Sequence, residues 1–318
     1  MNDFITRPFT EADYPSLAHF HEAVYAEFAT SEEELRRDDS LRPAYFHHTR
    51  LMVEQNGTLV AVGEFDQEQG RYHPQRFLLW IDVLPEFQNR GIGTGLYATL
   101  TDELASLKPE DLHTYIREDN PAGLRFAQKR GFHEARRTFA SQLDVAQFAD
   151  TTEPLQARLQ QEGIVFRTYP ELASDPERDH KLHRLCEEIR ADFPAEVPAT
   201  PRTFDEWQAK TIHNPQFVVE AFQVAVDTES RYVGYNSVSR NEEKPGELWT
   251  GQTGVVRSYR RRGIASVLKA RGAVWAGEND YHSIHTTNDS TNAAMLVVNE
   301  HMGFVRQVAW LYYKKTFL

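Results

Sequence analysis

The sequence predicts an α/β (α+β) chain made of two tandem copies of one motif, each a mixed, mostly antiparallel sheet flanked by helices. Three observations carry that expectation. The length of 318 residues fits two domains at roughly 100–200 residues each. The chain repeats itself at an offset of 172, which takes Val83 to Val255, Gly91 to Gly263, Leu96 to Leu268, Asn120 to Asn292 and Gly131-Phe132 to Gly303-Phe304. Short apolar runs alternate with stretches of helical spacing in the same order in both copies, which is the pattern of an α/β class. Over residues 83–132 the two copies share 13 identities in 50 without a gap, so the spacing between the Gly-rich turn and Gly-Phe is a feature of both.

The elements follow in order. Residues 4–7 read as a strand, and a helix begins near Asp13, a plausible cap. Residues 50–54 and 58–65 flank Asn56-Gly57 and so form a hairpin with a tight turn. Residues 77–83 are an apolar run short enough to be a buried strand, leading to a Gly-rich turn and a helix with Leu96, Leu100 and Leu104 on one face. A strand at 112–116, a helix at 121–129 and a strand at 137–143 complete the copy. The second copy repeats this with strands at 164–168, 222–227, 232–239, 247–255, 283–286 and 308–315, and helices at 179–190, 265–276 and 292–301. It has about ten extra residues, assigned to the Pro-rich stretch 193–202. The expected domains are 1–143 and 163–318, joined by 144–162, where Leu155 and Leu159 suggest a short helix.

Composition narrows the function. Lys plus Arg number 35 against 47 Asp plus Glu, a formal charge of −12. That balance argues against a sequence-independent grip on nucleic acid and suits solubility or a cationic small molecule. Cys186 is the single cysteine, so no intramolecular disulfide or Cys-rich zinc cluster is expected; among Leu182, Leu185 and Ile189 it has core spacing. No apolar run approaches the ~20 residues that span a bilayer. The start lacks a basic and apolar leader, and a cytoplasmic location with no membrane partner is the expectation. The 13 histidines lack a metal-ligand frame, so no metal is expected.

The Gly-rich turn is an anion site by construction. A strand ends in Gln88-x-x-Gly91-x-Gly93 and opens directly into a helix, whose first N–H groups are unsatisfied and whose dipole favours negative charge. The second copy has Arg260-x-x-Gly263-x-Ala265. Neither turn is a P-loop, and antiparallel strands upstream disagree with a dinucleotide fold.

These motifs resemble the acyl-CoA-binding core of the GNAT N-acyltransferase superfamily, here as two tandem GNAT-like domains in an organisation similar to that of mycothiol synthases. The resemblance implies acetyl-CoA as cofactor. It places the pyrophosphate on the backbones of Gln88, Asn89, Arg90, Gly91, Ile92, Gly93 and Thr94, and in the second copy on those of Arg260, Arg261, Arg262, Gly263, Ile264, Ala265 and Ser266, whose three arginines fit the 3′-phosphate and pyrophosphate of CoA. It sets Val83, and Val255 with Val256, against the pantetheine, and Asn120 and Asn292 near the cofactor. The family often has a Tyr four residues before the Gly of Gly-Phe as general acid; here those positions are Ala127 and Asn299.

The implied reaction is N-acetylation of the primary amine of a small, cationic acceptor, which needs a group to take the amine's proton. Glu247, at the start of the second central strand, is the candidate base; the first copy has Gln75 there. Asp82 adjoins Val83 and is expected to point to the opposite face. On these grounds chemistry is expected in the second copy, with the first retaining a CoA turn in support. A non-catalytic acyl-CoA-binding or interaction protein stays open as the alternative.

Overall fold

The computed structural model describes residues 4–25, 30–193 and 195–317. Met1–Asp3 at the start and Pro194 within the stretch 193–202 therefore lie outside the described residues. Two compact units are present, residues 1–136 with 310–318, and residues 137–309.

The first unit runs β1 (Phe4–Pro8), α1 (Tyr14–Val24), α2 (Glu32–Ser40), β2 (Thr49–Gln55), β3 (Thr58–Asp66), β4 (Arg76–Val83), α3 (Ile92–Ala105), β5 (Asp111–Arg117) and α4 (Pro121–Gln128). Asn56 and Gly57, both at positive φ, make the tight turn between β2 and β3. Neighbouring strands are antiparallel except β4 and β5, which run parallel. Alternation sends Met52 and Val62 to one face, where they pack with Tyr14, Leu17 and Phe20 of α1. Gly63 faces the other way, and a Cβ there would meet Leu96 and Leu100 of α3 at 3.0 Å.

The second unit contains the remainder of β6 (His133–Asp144), then α5 (Glu153–Gln161), β7 (Val165–Thr168), α6 (Arg178–Ala191), α7 (Phe204–Lys210), β8 (Gln223–Val226), β9 (Tyr232–Arg240), β10 (Glu247–Val255), α8 (Ile264–Glu278), β11 (Ser283–Asp289) and α9 (Ala293–His301). Its one parallel pair is β10 with β11. Leu182, Leu185, Cys186 and Ile189 of α6 pack with Trp207 and with Leu159 of the connecting helix. Burial pushes the Cys186 thiol up to about 11, as befits a core residue rather than a nucleophile.

The compact units do not follow the expected bounds of 1–143 and 163–318. The last strand of each copy completes the other unit's sheet. β6 pairs antiparallel with β11, from Ser283↔Asp144 to Asp289↔Thr138. β12 (Val305–Thr316) pairs antiparallel with β5, from Trp310↔Arg117 to Thr316↔Asp111. Two short helices were also unforeseen. In α2, Ser31 accepts a hydrogen bond from the Glu34 N–H, and in α7 Thr203 and Glu206 form a reciprocal capping box. Among the described residues no helix is long and apolar enough to cross a membrane.

Candidate active site

The two central strand pairs open in the same way. β4 and β5 pair at Arg76↔Asp111, Phe77↔Leu112 and Leu78↔His113 and then part. β10 and β11 pair only from Glu247↔Ser283 to Trp249↔His285. Past the splay each central strand enters its turn with equivalent geometry. Asn89 and Gly91 stand at φ 60° and 85°, Arg261 and Gly263 at φ 61° and 89°, a left-handed backbone that favours glycine. Ile92 and Ile264 are buried and anchor the helix starts in the core. The Gln88 side chain donates to the Val83 carbonyl at 3.1 Å, and Arg260 Nε donates to the Val255 carbonyl at 2.8 Å. Both therefore tie the turn to the strand end, a role the sequence did not reveal.

What surrounds the two turns differs. In the first unit a Cβ built on Gly91 or Gly95 would meet nothing within 4 Å. A cavity of about 340 Å³ adjoins this turn, and Val83, Gln88, Asn89, Gly91, Gly93 and Asn120 are on its wall. In the second unit a Cβ on Gly263 would collide with Leu155 of α5 at 2.7 Å. Arg158 of the same helix donates to the Arg262 carbonyl at 2.9 Å, and Arg262 pairs with Glu162 at 2.5 Å. Arg260 pairs with Asp192 at 2.6 Å. Of the three arginines expected at phosphates, Arg260 and Arg262 thus pair with carboxylates of the same unit. The connecting helix thus packs directly on the second turn.

The remaining expected residues sort similarly. Asn120 and Asn292 are N-caps, accepting from Gly123 N at 2.9 Å and Met295 N at 3.4 Å. Thr94 Oγ1 accepts from Arg130 at 2.9 Å, and Arg90 bonds the Glu86 carbonyl. Val256 N–H donates to Val233 O at 3.0 Å, which occupies its donor within the strands. Glu247 sits at the paired end of β10, 3.2 Å from His285 Nε2. A strand rises ~3.3 Å per residue, so the eight residues to Val255 carry Glu247 about 26 Å from its turn. The structure does not bring it to the splay.

The carboxylate at the open splay is Asp82. Alternation does point it away from Ile81, as expected, but β4 is unpaired on this side and both its faces reach the cavity. Tyr25, just past α1, donates to Asp82 Oδ1 at 2.5 Å. Burial pushes the Asp82 carboxyl up to about 6, against the lowering effect of that hydrogen bond and with a contribution from the Glu64 charge. Burial and the Asp82 charge likewise hold the Tyr25 phenol well above its ordinary range. At offset 172 the counterpart of Asp82 is Gly254, where a Cβ would lie 2.2 Å from Ile189 Cγ2. The second unit has neither a carboxylate there nor room for one. Ala127 is buried on the cavity wall, and half-buried Tyr97 also lines it, its oxygen accepting from Lys315 Nζ at 3.0 Å.

Three His, Asp or Glu groups also approach one another at His48, Glu64 and Asp66. Arg50 bonds Glu64 at 2.6 Å and Arg42 bonds Asp66 at 2.9 Å, and both guanidiniums also pair with Asp39 at 2.8 Å.

Residues 14–132 and 182–304 match the acetyltransferase (GNAT) family model, and the chain belongs to that family. A comparison with curated protein sequences finds no match. Solved structures share the fold over the whole chain. A GCN5-related N-acetyltransferase from Sphaerobacter thermophilus is 21% identical, with a TM-score of 0.72, covering 98% of this chain and 95% of that one. A tandem GNAT protein from the clavulanic acid biosynthesis pathway is 16% identical, with a TM-score of 0.74, covering 99% and 98%.

Proposed function

We propose that the chain is an acetyl-CoA-dependent N-acetyltransferase whose catalytic half is the first unit. The observation that carries this reading is one cavity that touches both the open Gly91 turn and the Asp82–Tyr25 pair. The residues fit the donor. The N–H groups at the start of α3 face an approach that no side chain fills at Gly91, and a helix N-terminus favours the negative charge of a pyrophosphate. Acetyl-CoA, when bound, supplies the thioester carbonyl that the amine attacks and the thiol that departs.

The chain's own groups would manage the protons. An acceptor amine enters as ammonium beside the Asp82 carboxylate. With its carboxyl near 6, Asp82 is ionised at neutral pH yet basic enough to take one proton from the ammonium, which frees the nitrogen lone pair to attack. The second N–H proton leaves as the adduct collapses and balances the one that the sulfur gains. The departing sulfur needs a proton that Ala127 cannot give, and Tyr97 is the phenol on the turn's own helix that lines the cavity. This reading moves the base from Glu247 to Asp82 and the chemistry from the second unit to the first. An acidic chain and a cavity carboxylate both suit a cationic acceptor. A catalytic carboxylate at the splay also favours an enzyme over a non-catalytic CoA binder.

Thiol release from acetyl-CoA with amines tests it. Asp82→Asn keeps an acceptor for Tyr25 and should cut kcat by roughly 10²–10⁴, the usual contribution of a positioned base. Unchanged turnover in the folded variant would remove Asp82 from the mechanism.

A further inference from the structure

The sheet face that carries Asp82 is aromatic. Ile81 is opposite Gly63 in the register and shares its face toward α3, so Trp80 and Asp82 occupy the other face of β4. Trp80 stacks on Tyr115 of β5, with ring centroids 6.0 Å apart and planes at 21°. Trp310 of β12 is opposite Arg117 in the register, and Arg117 is two residues from Tyr115, so Trp310 is on that face too. Tyr25 closes over it, 6.0 Å from the Trp310 ring and hydrogen-bonded to Asp82. Trp80, Tyr115, Trp310 and Tyr25 all line the cavity around that one carboxylate. Arg117, also on the wall, has its charge matched by Asp119 at 3.0 Å.

Resting on the reading of this cavity as an acyltransferase site, we infer that the acceptor is a primary amine borne on a flat aromatic body, its ammonium at Asp82 and its ring against Trp80, Tyr115 and Trp310. Indole and phenol faces attract both aromatic rings and cations. Among the described residues of the wall Asp82 is the one carboxylate, which matches one ammonium, whereas a polyamine would call for several. An amino sugar would need hydrogen-bond partners for a ring of hydroxyls, and this face offers planar carbon surface instead. The Gly91 turn and α3 lie on the opposite side of the sheet. The acceptor and the donor would thus meet through the gap beyond Leu78↔His113.

The test compares 2-phenylethylamine, ethylamine, spermidine and glucosamine as acceptors, together with quenching of tryptophan fluorescence by each amine in the CoA-loaded protein. The expected kcat/KM for 2-phenylethylamine exceeds that for ethylamine by about tenfold or more, the scale of apolar discrimination in a pocket. Trp310→Ala should pull that ratio toward one, mainly through KM. A preference for spermidine or glucosamine, or equal rates with ethylamine, overturns the inference and leaves the acetyltransferase reading intact. If no amine releases thiol, the acetyltransferase reading fails. The quenching titration then still decides the acceptor class, since 2-phenylethylamine should bind more tightly than the other three.

Discussion

The turn at Gly91 and the turn at Gly263 have the same spacing, the same left-handed backbone and the same tie from residue 88 or 260 to the strand end. Only the first is open. Leu155, Arg158 and Glu162 of the connecting helix lie on the second. The two strands diverge similarly: Asp82 lies in a cavity, whereas its counterpart Gly254 lies under Ile189. A motif of this kind specifies a backbone shape, and whether the shape is a site depends on what the rest of the chain lays over it.

The comparison can be broken most severely at the glycines. Gly91→Trp should abolish CoA binding and turnover, because a bulky side chain at φ 85° fills the approach to the helix start. Gly263→Trp should lower the melting temperature, since it must displace Leu155, while leaving turnover per folded molecule unchanged. Circular dichroism and melting establish folding before either rate is read. The reverse outcome would return the chemistry to the second unit.

A pH profile sharpens the same contrast with a smaller effect. A carboxylate accepts a proton only when ionised, and the Asp82 carboxyl is raised to about 6. The logarithm of kcat/KM should therefore fall with unit slope below about pH 6 and level off above it. A flat profile across that window in the wild-type chain would exclude Asp82 as the base.

The smallest expected effect is on stability, at the position where the units carry Tyr97 and Lys269. Lys269 is buried, its ammonium 4.9 Å from the Phe304 ring, and burial pulls it down to about 7 from an ordinary 10.5. The folded-state value is depressed, so between about pH 7 and 10.5 the unfolded chain binds the extra proton. Stability therefore rises with pH through that window, and the penalty is complete below it. Lys269→Met should raise the melting temperature at pH 7 by several degrees, at ~2–4 °C per kcal/mol for a unit of this size. It should also flatten the pH slope. A lowered melting temperature in this variant would show that the ammonium is stabilising where it lies.

Much of the fold is legible in the sequence because its signals are local. The Asn56-Gly57 turn and the apolar runs each depend on neighbours a few residues apart, and the 172-residue offset matches two copies of such local patterns. The exchange of last strands is not local. β6 and β12 have the same alternation whichever sheet they complete, so nothing within them names β11 or β5 as partner. The helices α2 and α7 were readable from Ser31 with Glu34 and Thr203 with Glu206, a signature that goes unnoticed beside short apolar content. At the site, Arg260 and Arg262 beside a phosphate-like turn read as ligands because their carboxylates, Asp192 and Glu162, are 68 and 100 residues away. Alternation sets Asp82 on the face opposite Val83, which by itself does not show that the carboxylate reaches the opening. The parting of β4 from β5 makes its face part of the cavity.

The central claim, one open turn among two alike, is tested most directly by isothermal titration of the wild-type chain with CoA. One site per chain is expected, lost in Gly91→Trp and retained in Gly263→Trp. Two sites in the wild type, or one that survives Gly91→Trp and disappears in Gly263→Trp, would contradict it.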